Sequence, residues 1–243
     1  MHIWGDCTMN TLLTLNEVHT HIGQYHILQG VNFEAKEGQV TVLLGRNGAG
    51  KTTTLKTIMG LTPATKGEIA FRSHSIKKSP TYKVAKLGIG YVPENQGIFA
   101  DLSVEENMKV AMRKEDTATL ERQQYVLELF PDLKKFWKKA GGHLSGGQKQ
   151  MLSMARAFIN DSPLILIDEP SKGLAPIVVE KVMEAIVEMK KKTSIVLVEQ
   201  NFMMASRIGD TYTLIDDGRT VHSGNMKELI DNEELKRKYL GIG

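Results

Sequence analysis

The feature that most constrains the fold is the segment 45–52, which reads GRNGAGKT and directly follows the apolar run TVLL. It matches the pattern G-x-x-x-x-G-K-[ST], in which a glycine-rich loop joins a buried strand to the start of a helix. The glycines let the backbone wrap around a polyphosphate, while N–H groups and the helix dipole supply positive potential. The pattern therefore predicts a P-loop core of α/β type.

The loop predicts a contiguous set of nucleotide contacts. The set is Gly45, Arg46, Asn47, Gly48, Ala49, Gly50, Lys51, Thr52 and Thr53. We expect Lys51 to reach the β and γ phosphates of ATP and to assist catalysis, and the hydroxyl of Thr52 to bind Mg²⁺. The alternative is a glycine turn that merely connects a strand to a helix, which leaves Lys51 unexplained.

A second site signal is LILIDEP at 164–170, where four apolar residues end in two carboxylates. A buried strand that ends here places Asp168 at the edge of the sheet where ligands of open α/β sheets bind. Asp168 then suits Mg²⁺ coordination, and Glu169 suits polarisation of the water that attacks the γ-phosphate. Alone, such a strand end is equally compatible with a structural role, so the interpretation depends on the upstream loop.

The third signal is LSGGQ, formed by Leu144, Ser145, Gly146, Gly147 and Gln148. Its glycines open a second helix start that can bind phosphate through N–H groups, but no lysine accompanies them. Two complete phosphate sites in one small domain would be redundant. We therefore expect this segment to complete a nucleotide site on another subunit.

The rest of the chain predicts one domain over residues 9–243. Residues 11–42 suggest several strands with turns at Gly23 and Gly38, which predicts an antiparallel β edge beside the parallel core. Residues from about 95 to 155 predict helices instead, with a capping box at Ser103 and Glu106, and we interpret them as an inserted α-helical subdomain. We expect residues 1–8 to form a disordered or extended start, and Met9 is a second candidate start residue.

Composition excludes several classes of protein. The net charge of +3 over 243 residues is too small to indicate nucleic-acid binding, and we expect no nucleic-acid partner. The single cysteine, Cys7, rules out an internal disulfide. No apolar run approaches the roughly 18 to 20 residues that cross a bilayer, so we expect a cytoplasmic protein whose membrane role comes through partners.

Taken together, the segments 45–52, 144–148 and 168–169, in this order, resemble the ATP-binding cassette family over nearly the whole chain. The resemblance implies the ABC ATPase fold, with ATP and Mg²⁺ as ligands. It also implies two cassettes arranged head to tail, with each ATP between Lys51 of one and Ser145 and Gly147 of the other. Because one cassette is present, a second ATPase chain is required.

Further runs narrow the resemblance to the ATPase subunits of branched-chain amino-acid importers. They are GRNGAGKTTTLKTIMGL, LGIGYVPENQGIF, LSVEENM, EPSKGLAPIVVEKV and LVEQN. This branch implies two membrane permeases, an extracytoplasmic solute-binding protein and peripheral attachment at the cytoplasmic face of the membrane. It favours a heterodimer of ATPases, with a homodimer as the alternative.

Departures from the general cassette pattern concern the site itself. Glu94 stands where most cassettes have a glutamine, and we assign it as a further Mg²⁺ ligand that would also repel phosphate. Gln200 stands where most have a switch histidine; we place it among the catalytic residues because it can donate to the γ-phosphate, but it cannot titrate near neutral pH. We therefore expect no rise in activity tied to a histidine near pH 6 to 7.

Two more departures concern the interface and the base. Ala175 stands where the family usually carries an interface aspartate, which puts communication between the two sites in doubt. Ile22 stands where an aromatic residue usually stacks on adenine, and we retain it as a nucleotide contact. Tyr25 is a possible substitute, although packing of this strand tyrosine on the core is the favoured account.

Alternatives remain for the function. An ATPase for urea, short amides, another small solute or export shares most of these marks. An ATPase of chromosome maintenance or DNA repair needs a long coiled coil between the two glycine motifs, yet fewer than a hundred residues intervene, without sustained heptads. A ribosome-acting protein would carry two cassettes. We expect the surface that couples to a permease to lie on the inserted helices and the loop 94–101; alternatively, Ile98 and Phe99 of this loop cap the core of the helical subdomain.

Overall fold

The computed structural model describes residues 11–242, so the expectations for residues 1–8, Cys7 and Met9 lie outside the described part. The strands are β1 Thr11–Ile22, β2 Tyr25–Lys36, β3 Val40–Leu44, β4 Ala64–Phe71, β5 His74–Ser75, β6 Ile89–Val92, β7 Leu164–Asp168, β8 Ser194–Val198, β9 Thr211–Asp216 and β10 Arg219–Asn225. The α-helices are α1 Lys51–Ile58, α2 Thr81–Lys86, α3 Val104–Ala111, α4 Thr117–Leu129, α5 Pro131–Lys135, α6 Gly146–Phe158, α7 Pro176–Lys190, α8 Phe202–Ile208, α9 Met226–Asp231 and α10 Glu233–Leu235.

A six-stranded sheet forms the centre of the molecule, in the order β10-β9-β3-β8-β7-β6. All its neighbouring strands pair in parallel except the edge pair β10 and β9. Strands β3, β7 and β8 are buried at every position, as expected for short apolar strands covered on both faces. Because they run in parallel, their carboxyl ends meet at one edge, where the loop 45–52 and the segments that carry Glu169 and Gln200 begin.

A four-stranded antiparallel sheet, in the order β2-β1-β4-β5, packs beside the centre. Its long hairpin turns at Gly23, which has the left-handed φ of 58°. Apolar side chains of this sheet join α1 and one face of the central sheet in a single buried cluster. The predicted antiparallel edge is therefore present, and the α/β fold of the P-loop type is confirmed.

The stretch from α3 to α6 is helical, apart from one isolated bridge between Ser103 and Ala140. Helix α3 begins with the predicted capping box, in which Ser103 accepts from the N–H of Glu106 and the Glu106 carboxylate accepts from Ser103. Helix α6 buries its apolar face against the other side of the central sheet. That face includes Met151, Met154, Ala155 and Phe158. The assignment of residues 95–155 as a subdomain of a single domain stays a prediction.

Residues 11–242 contain no helix that is both long enough and apolar enough to cross a membrane.

Candidate active site

The glycine loop between β3 and α1 has the backbone that its sequence requires. Gly45 and Gly50 have φ values of 154° and 105°, which side-chain-bearing residues rarely adopt. A Cβ atom at Gly45 would lie 2.2 Å from the carbonyl oxygen of Ile215. Helix α1 then begins at Lys51, with Gly50 as its N-cap. The first N–H groups of α1, which have no partner within the helix, and the positive end of its dipole therefore lie at the glycine loop.

Lys51 is buried inside this loop. Its Nζ donates to the carbonyl oxygens of Gly45 at 2.9 Å and Arg46 at 3.1 Å, and lies 3.7 Å from Oε1 of Glu169. Burial lowers the pKa of Lys51, while the neighbouring Glu169 and Asp168 carboxylates raise it in opposition. The ammonium is thus held by the backbone of the glycine loop, and its contact with nucleotide phosphates stays a prediction.

Asp168 and Thr52 are in direct contact although 116 positions separate them. The Thr52 hydroxyl donates to Oδ1 of Asp168 at 2.9 Å, and the Tyr91 hydroxyl donates to Oδ2 at 3.4 Å. Burial is the main cause that raises the pKa of Asp168 to about 6. A hydroxyl and a carboxylate oxygen this close are hard ligands of the kind that Mg²⁺ takes alongside substrate phosphates, so the pair fits this ion.

Glu169 occupies a constrained position immediately after β7. Its φ of 46° lies in the left-handed region, which is uncommon for a residue with a side chain. Its N–H donates to the carbonyl oxygen of Val198 at 2.9 Å, which ties it to the end of β8. The carboxylate lies between two cations, with Lys172 Nζ 3.4 Å from Oε2 and Lys51 on the other side. These contacts fix the direction of the carboxylate.

Gln200 connects the glycine loop to Glu169. Its Nε2 donates to Oε1 of Glu169 at 2.7 Å and also to Oδ1 of Asn47 in the glycine loop. The side chain predicted to replace the switch histidine therefore lies between the loop and the predicted general base.

Glu94 contacts Lys172, whose Nζ lies 2.6 Å from Oε1 of Glu94. No hydrogen bond joins Glu94 to Thr52 or Asp168 among the described residues, which also contain no group of three His, Cys, Asp or Glu side chains arranged to hold a metal. Glu94 as a Mg²⁺ ligand stays a prediction, and it would require the contact with Lys172 to break.

The segment LSGGQ opens α6 through a second capping box. Oγ of Ser145 accepts from the N–H of Gln148 at 3.3 Å, and the Gln148 side chain accepts from the N–H of Ser145 at 3.0 Å. A Cβ atom at Gly147 would lie 2.5 Å from Cγ1 of Val178, so the glycine allows α6 and α7 to approach closely. None of these polar contacts reaches the loop 45–53. The role of residues 144–148 in a partner's site stays a prediction.

The β1–β2 hairpin corrects one expectation. Tyr25 does not pack on the core, because 66% of its surface is exposed. It is the first residue after the turn, beyond the end of the buried cluster, and it pairs with Ile22, which is 47% exposed. Three residues after Tyr25 on the same strand, Leu28 lies against Gly50 of the glycine loop. Ile22 and Tyr25 are both exposed, and Ile22 as a nucleotide contact stays a prediction.

Sequence reasoning missed three residues that touch the site: Tyr91, Lys172 and Glu199. Lys172 had a usable signal, because it follows Glu169 by three positions in the same turn. Glu199 had another, since it ends the apolar run SIVLV in the way that Asp168 ends LILI. Tyr91 had none, because its hydroxyl meets Asp168 only through the pairing of β6 with β7.

Comparisons with known proteins agree with this geometry. A family model described as ABC transporter matches residues 28–172, more than half of the chain. The probable branched-chain amino acid transport ATP-binding protein LivF of Archaeoglobus fulgidus is 36% identical over 222 residues, which cover 90% of this chain and 94% of the relative. The high-affinity branched-chain amino acid transport ATP-binding protein BraG of Pseudomonas aeruginosa is 35% identical over 232 residues, covering 95% and 100%.

Among solved structures, the ATP-binding cassette MJ0796, a dimer in a post-hydrolysis state bound to ADP and Pi, superposes with a TM-score of 0.78. It is 24% identical, and the match covers 88% of this chain and 99% of that one. At this identity the likeness extends to the fold.

Proposed function

The chain belongs to the ABC transporter family as an ATP-hydrolysing subunit, and we propose that the transporter it powers imports branched-chain amino acids. The observation that carries the substrate class is the identity of 36% and 35% to two relatives whose names state branched-chain amino acid transport, each over nine-tenths of this chain or more. An importer of urea, short amides or another small solute is the alternative, because the substrate does not touch this subunit.

Hydrolysis is assigned to side chains that the fold has already brought together. Lys51 and the loop N–H groups hold the β and γ phosphates, and Glu169 accepts a proton from the attacking water. Gln200 donates to Glu169 and Asn47 in the structure, and we assign it to donate to the γ-phosphate when ATP is bound. Because an amide does not titrate, proton acceptance falls on Glu169 alone.

Thr52 and Asp168 are the proposed Mg²⁺ ligands, supported by their direct contact of 2.9 Å. When bound, the ion would supply positive charge against the phosphate oxygens. Tyr91 holds the other oxygen of Asp168 and so orients the carboxylate toward Thr52.

The raised pKa of Asp168 predicts a dependence of Mg²⁺ binding on pH. Below about pH 6 a proton occupies the carboxylate and competes with the ion, so the apparent Kd for Mg²⁺ should rise about tenfold per pH unit as the pH falls further. Titration of Mg²⁺ in the presence of ATP between pH 5 and 8 measures this.

The Asp168→Asn variant should bind Mg²⁺ weakly and without this pH dependence. His143→Gln is the matched control, since the exposed His143 lies beside the segment LSGGQ and has no contact with Asp168. An inflection that disappears in His143→Gln and persists in Asp168→Asn would contradict the assignment.

ABC ATPases dimerise and act with membrane permeases, and we assign the permease contact to the loop 94–101 and its surroundings. The sequence left two roles open for this loop, a permease contact or a cap on the core. Ile98 packs against the buried cluster, as a cap would, whereas Phe99 is 46% exposed and available for a partner. The Arg156 guanidinium lies 4.9 Å from the centre of the Phe99 ring and donates to the carbonyl oxygen of Gly97. Beside them is a cleft of about 270 Å³ that reaches Met59 and Tyr91. This cleft connects a permease-facing surface to the side chain that orients Asp168.

The remaining partners are a second ATPase, favoured as a related chain over a second copy, two permeases and an extracytoplasmic solute-binding protein. In the dimer, Ser145 and Gly147 of each chain face the nucleotide held by Lys51 of the other. We place the assembled chain at the cytoplasmic face of the membrane, attached through the permeases.

The test is purification of tagged protein from gently solubilised membranes of its own source. Glu169→Gln is the variant to use, because it preserves the ATP-closed dimer during purification. Recovery of two permeases, a second cassette protein and an amino-acid-binding protein supports the proposal. Recovery of a urea-binding or amide-binding protein overturns the substrate class, and recovery of soluble enzymes, DNA or ribosomes in place of permeases overturns transport.

A further inference from the structure

Glu199 is a buried carboxylate at the end of β8 whose contacts are all to the backbone. Only 2% of its surface is exposed. Oε1 accepts from the N–H of Ser171 at 3.0 Å, and Oε2 accepts from the N–H groups of Gln200 and Asn201, each at 3.1 Å. Burial raises the pKa of Glu199, and these hydrogen bonds oppose that shift. A carboxylate kept out of water in this way needs such donors, and it uses both oxygens to obtain them.

The three donors lie on two separate segments, and both segments carry site residues. Ser171 follows Glu169 by two positions in the turn after β7. Gln200 is itself the residue that donates to Glu169 and to the glycine loop. Glu199 therefore ties the turn that holds the proposed general base to the segment that holds the proposed phosphate sensor.

The connection made by Glu199 matters because the backbone of Glu169 is strained. Glu169 has a φ of 46°, and a side-chain-bearing residue keeps such a conformation only where the surrounding structure holds it. Two backbone N–H groups of the turn donate to the end of β8: that of Glu169 to the Val198 carbonyl, and that of Ser171 to the Glu199 carboxylate. Loss of the second leaves the backbone of the strained turn with one of these two bonds, beside the side-chain bond from Gln200 to Glu169.

We propose that Glu199 is a positioning residue for hydrolysis, which sets the distance and direction between Glu169 and Gln200 by binding the backbone of both segments. It touches no phosphate and carries no proton in the reaction. The inference rests on the proposed roles of Glu169 and Gln200.

The competing explanation is a purely structural role as a cap of α8. That role is already filled, because the Asn201 side chain accepts from the N–H of Met204 as the N-cap of α8. Nor is α8 the only element involved, since the bond to Ser171 crosses to a different segment 28 positions away.

Glu199→Gln tests the bond to Ser171 separately from the bonds to Gln200 and Asn201, because it removes one of the two accepting oxygens. An amide has one accepting oxygen, and directing it at Gln200 and Asn201 retains two bonds, whereas directing it at Ser171 retains one. The favoured orientation therefore turns the NH₂ group toward the N–H of Ser171, which loses its acceptor. Glu199→Asp shortens the side chain by one carbon, about 1.5 Å, and withdraws both oxygens from their donors.

The matched control is Asp210→Asn. Asp210 also accepts a backbone N–H, from Val40 at 2.7 Å, and pairs with Lys190, but at the opposite end of the central strands. Loss of this contact should lower stability without changing the geometry around Glu169.

The experiment measures kcat, ATP affinity by equilibrium binding, Tm and amide hydrogen exchange for the wild-type protein and these variants. For Glu199→Gln we expect kcat to fall at least about tenfold, toward the hundredfold that a displacement of about 1 Å can cause, with ATP affinity within about threefold of wild type. Exchange at residues 171–174 should accelerate at least about tenfold, while Asp210→Asn leaves both kcat and this segment unchanged.

If Glu199→Gln does not fold, the same measurements on Glu199→Asp decide the question. The inference is overturned if the Glu199 variant has the kcat of the wild-type protein. It is also overturned if Asp210→Asn loses as much kcat as the Glu199 variant when both lose the same amount of Tm. Failure of the proposed function is distinguishable: if Glu169→Gln hydrolyses ATP normally, the assigned base is wrong, whereas unchanged exchange at residues 171–174 in Glu199→Gln shows that Glu199 does not hold the turn.

Discussion

Replacing Glu169 with glutamine is expected to reduce ATP hydrolysis at least about 100-fold while ATP binding remains within a few-fold of wild type. General-base catalysis contributes roughly 10² to 10⁴ in rate, and Gln200 cannot replace it because an amide does not accept a proton near neutral pH. The substitution preserves the shape of the side chain and the bond from Gln200 to its oxygen. Steady-state hydrolysis and equilibrium binding of ATP measure the two effects separately.

The same variant should form an ATP-dependent dimer, because the closed state no longer decays by hydrolysis. Size-exclusion chromatography with and without ATP tests this for a homodimer, and the purified complex serves for a heterodimer. Glu188→Gln is the matched control, since Glu188 is a partly exposed residue of α7 that pairs with Lys191. If Glu169→Gln hydrolyses ATP at the rate of Glu188→Gln, the assignment of Glu169 as the general base is wrong.

Replacing Lys51 with alanine is expected to lower kcat/KM for ATP at least about 100-fold, with loss of binding as well as of rate. The ammonium is held by two backbone carbonyl groups of the glycine loop, so its removal takes the positive charge away from the proposed phosphate site. The charge acts on the phosphates in both the ground state and the transition state, which is why this variant differs from Glu169→Gln.

Folding should survive the loss of Lys51, because burial of its ammonium is itself unfavourable and Lys172 remains beside Glu169. Lys56→Ala, at an exposed position of the same helix, controls for the change in helix composition. Tm, ATP binding and hydrolysis are compared for the two variants. Retention of ATP affinity in Lys51→Ala together with a normal Tm would contradict the proposed phosphate contact.

The elements that sequence reasoning predicted well depend on interactions over a few residues. The loop 45–52 needs its glycines for a backbone path and its helix start for positive potential, and both requirements are local. The two capping boxes, at Ser103 and Ser145, each join residues three positions apart. The apolar strands that precede Gly45 and Asp168 are readable for the same reason, since burial on both faces imposes a continuous apolar run.

Other conclusions required the tertiary structure, because they depend on contacts between distant segments. The sequence around Tyr25 does not distinguish it from a strand tyrosine that packs on the core. Tyr25 is exposed because the hairpin turn lies beyond the buried cluster. Lys172 connects Glu94 to Glu169 through a turn that no periodicity describes.

Glu199 shows most clearly which features can be read from the sequence and which require the tertiary structure. Its place after an apolar strand was readable in the sequence, whereas its partners were not, since hydrogen bonds to Ser171 depend on how β7 and β8 pair. The chain's local patterns thus determined the phosphate loop, the strand ends and the family. The packing of parallel strands, which alone brings their carboxyl ends into contact, decided how Glu169 is held and which residues hold it.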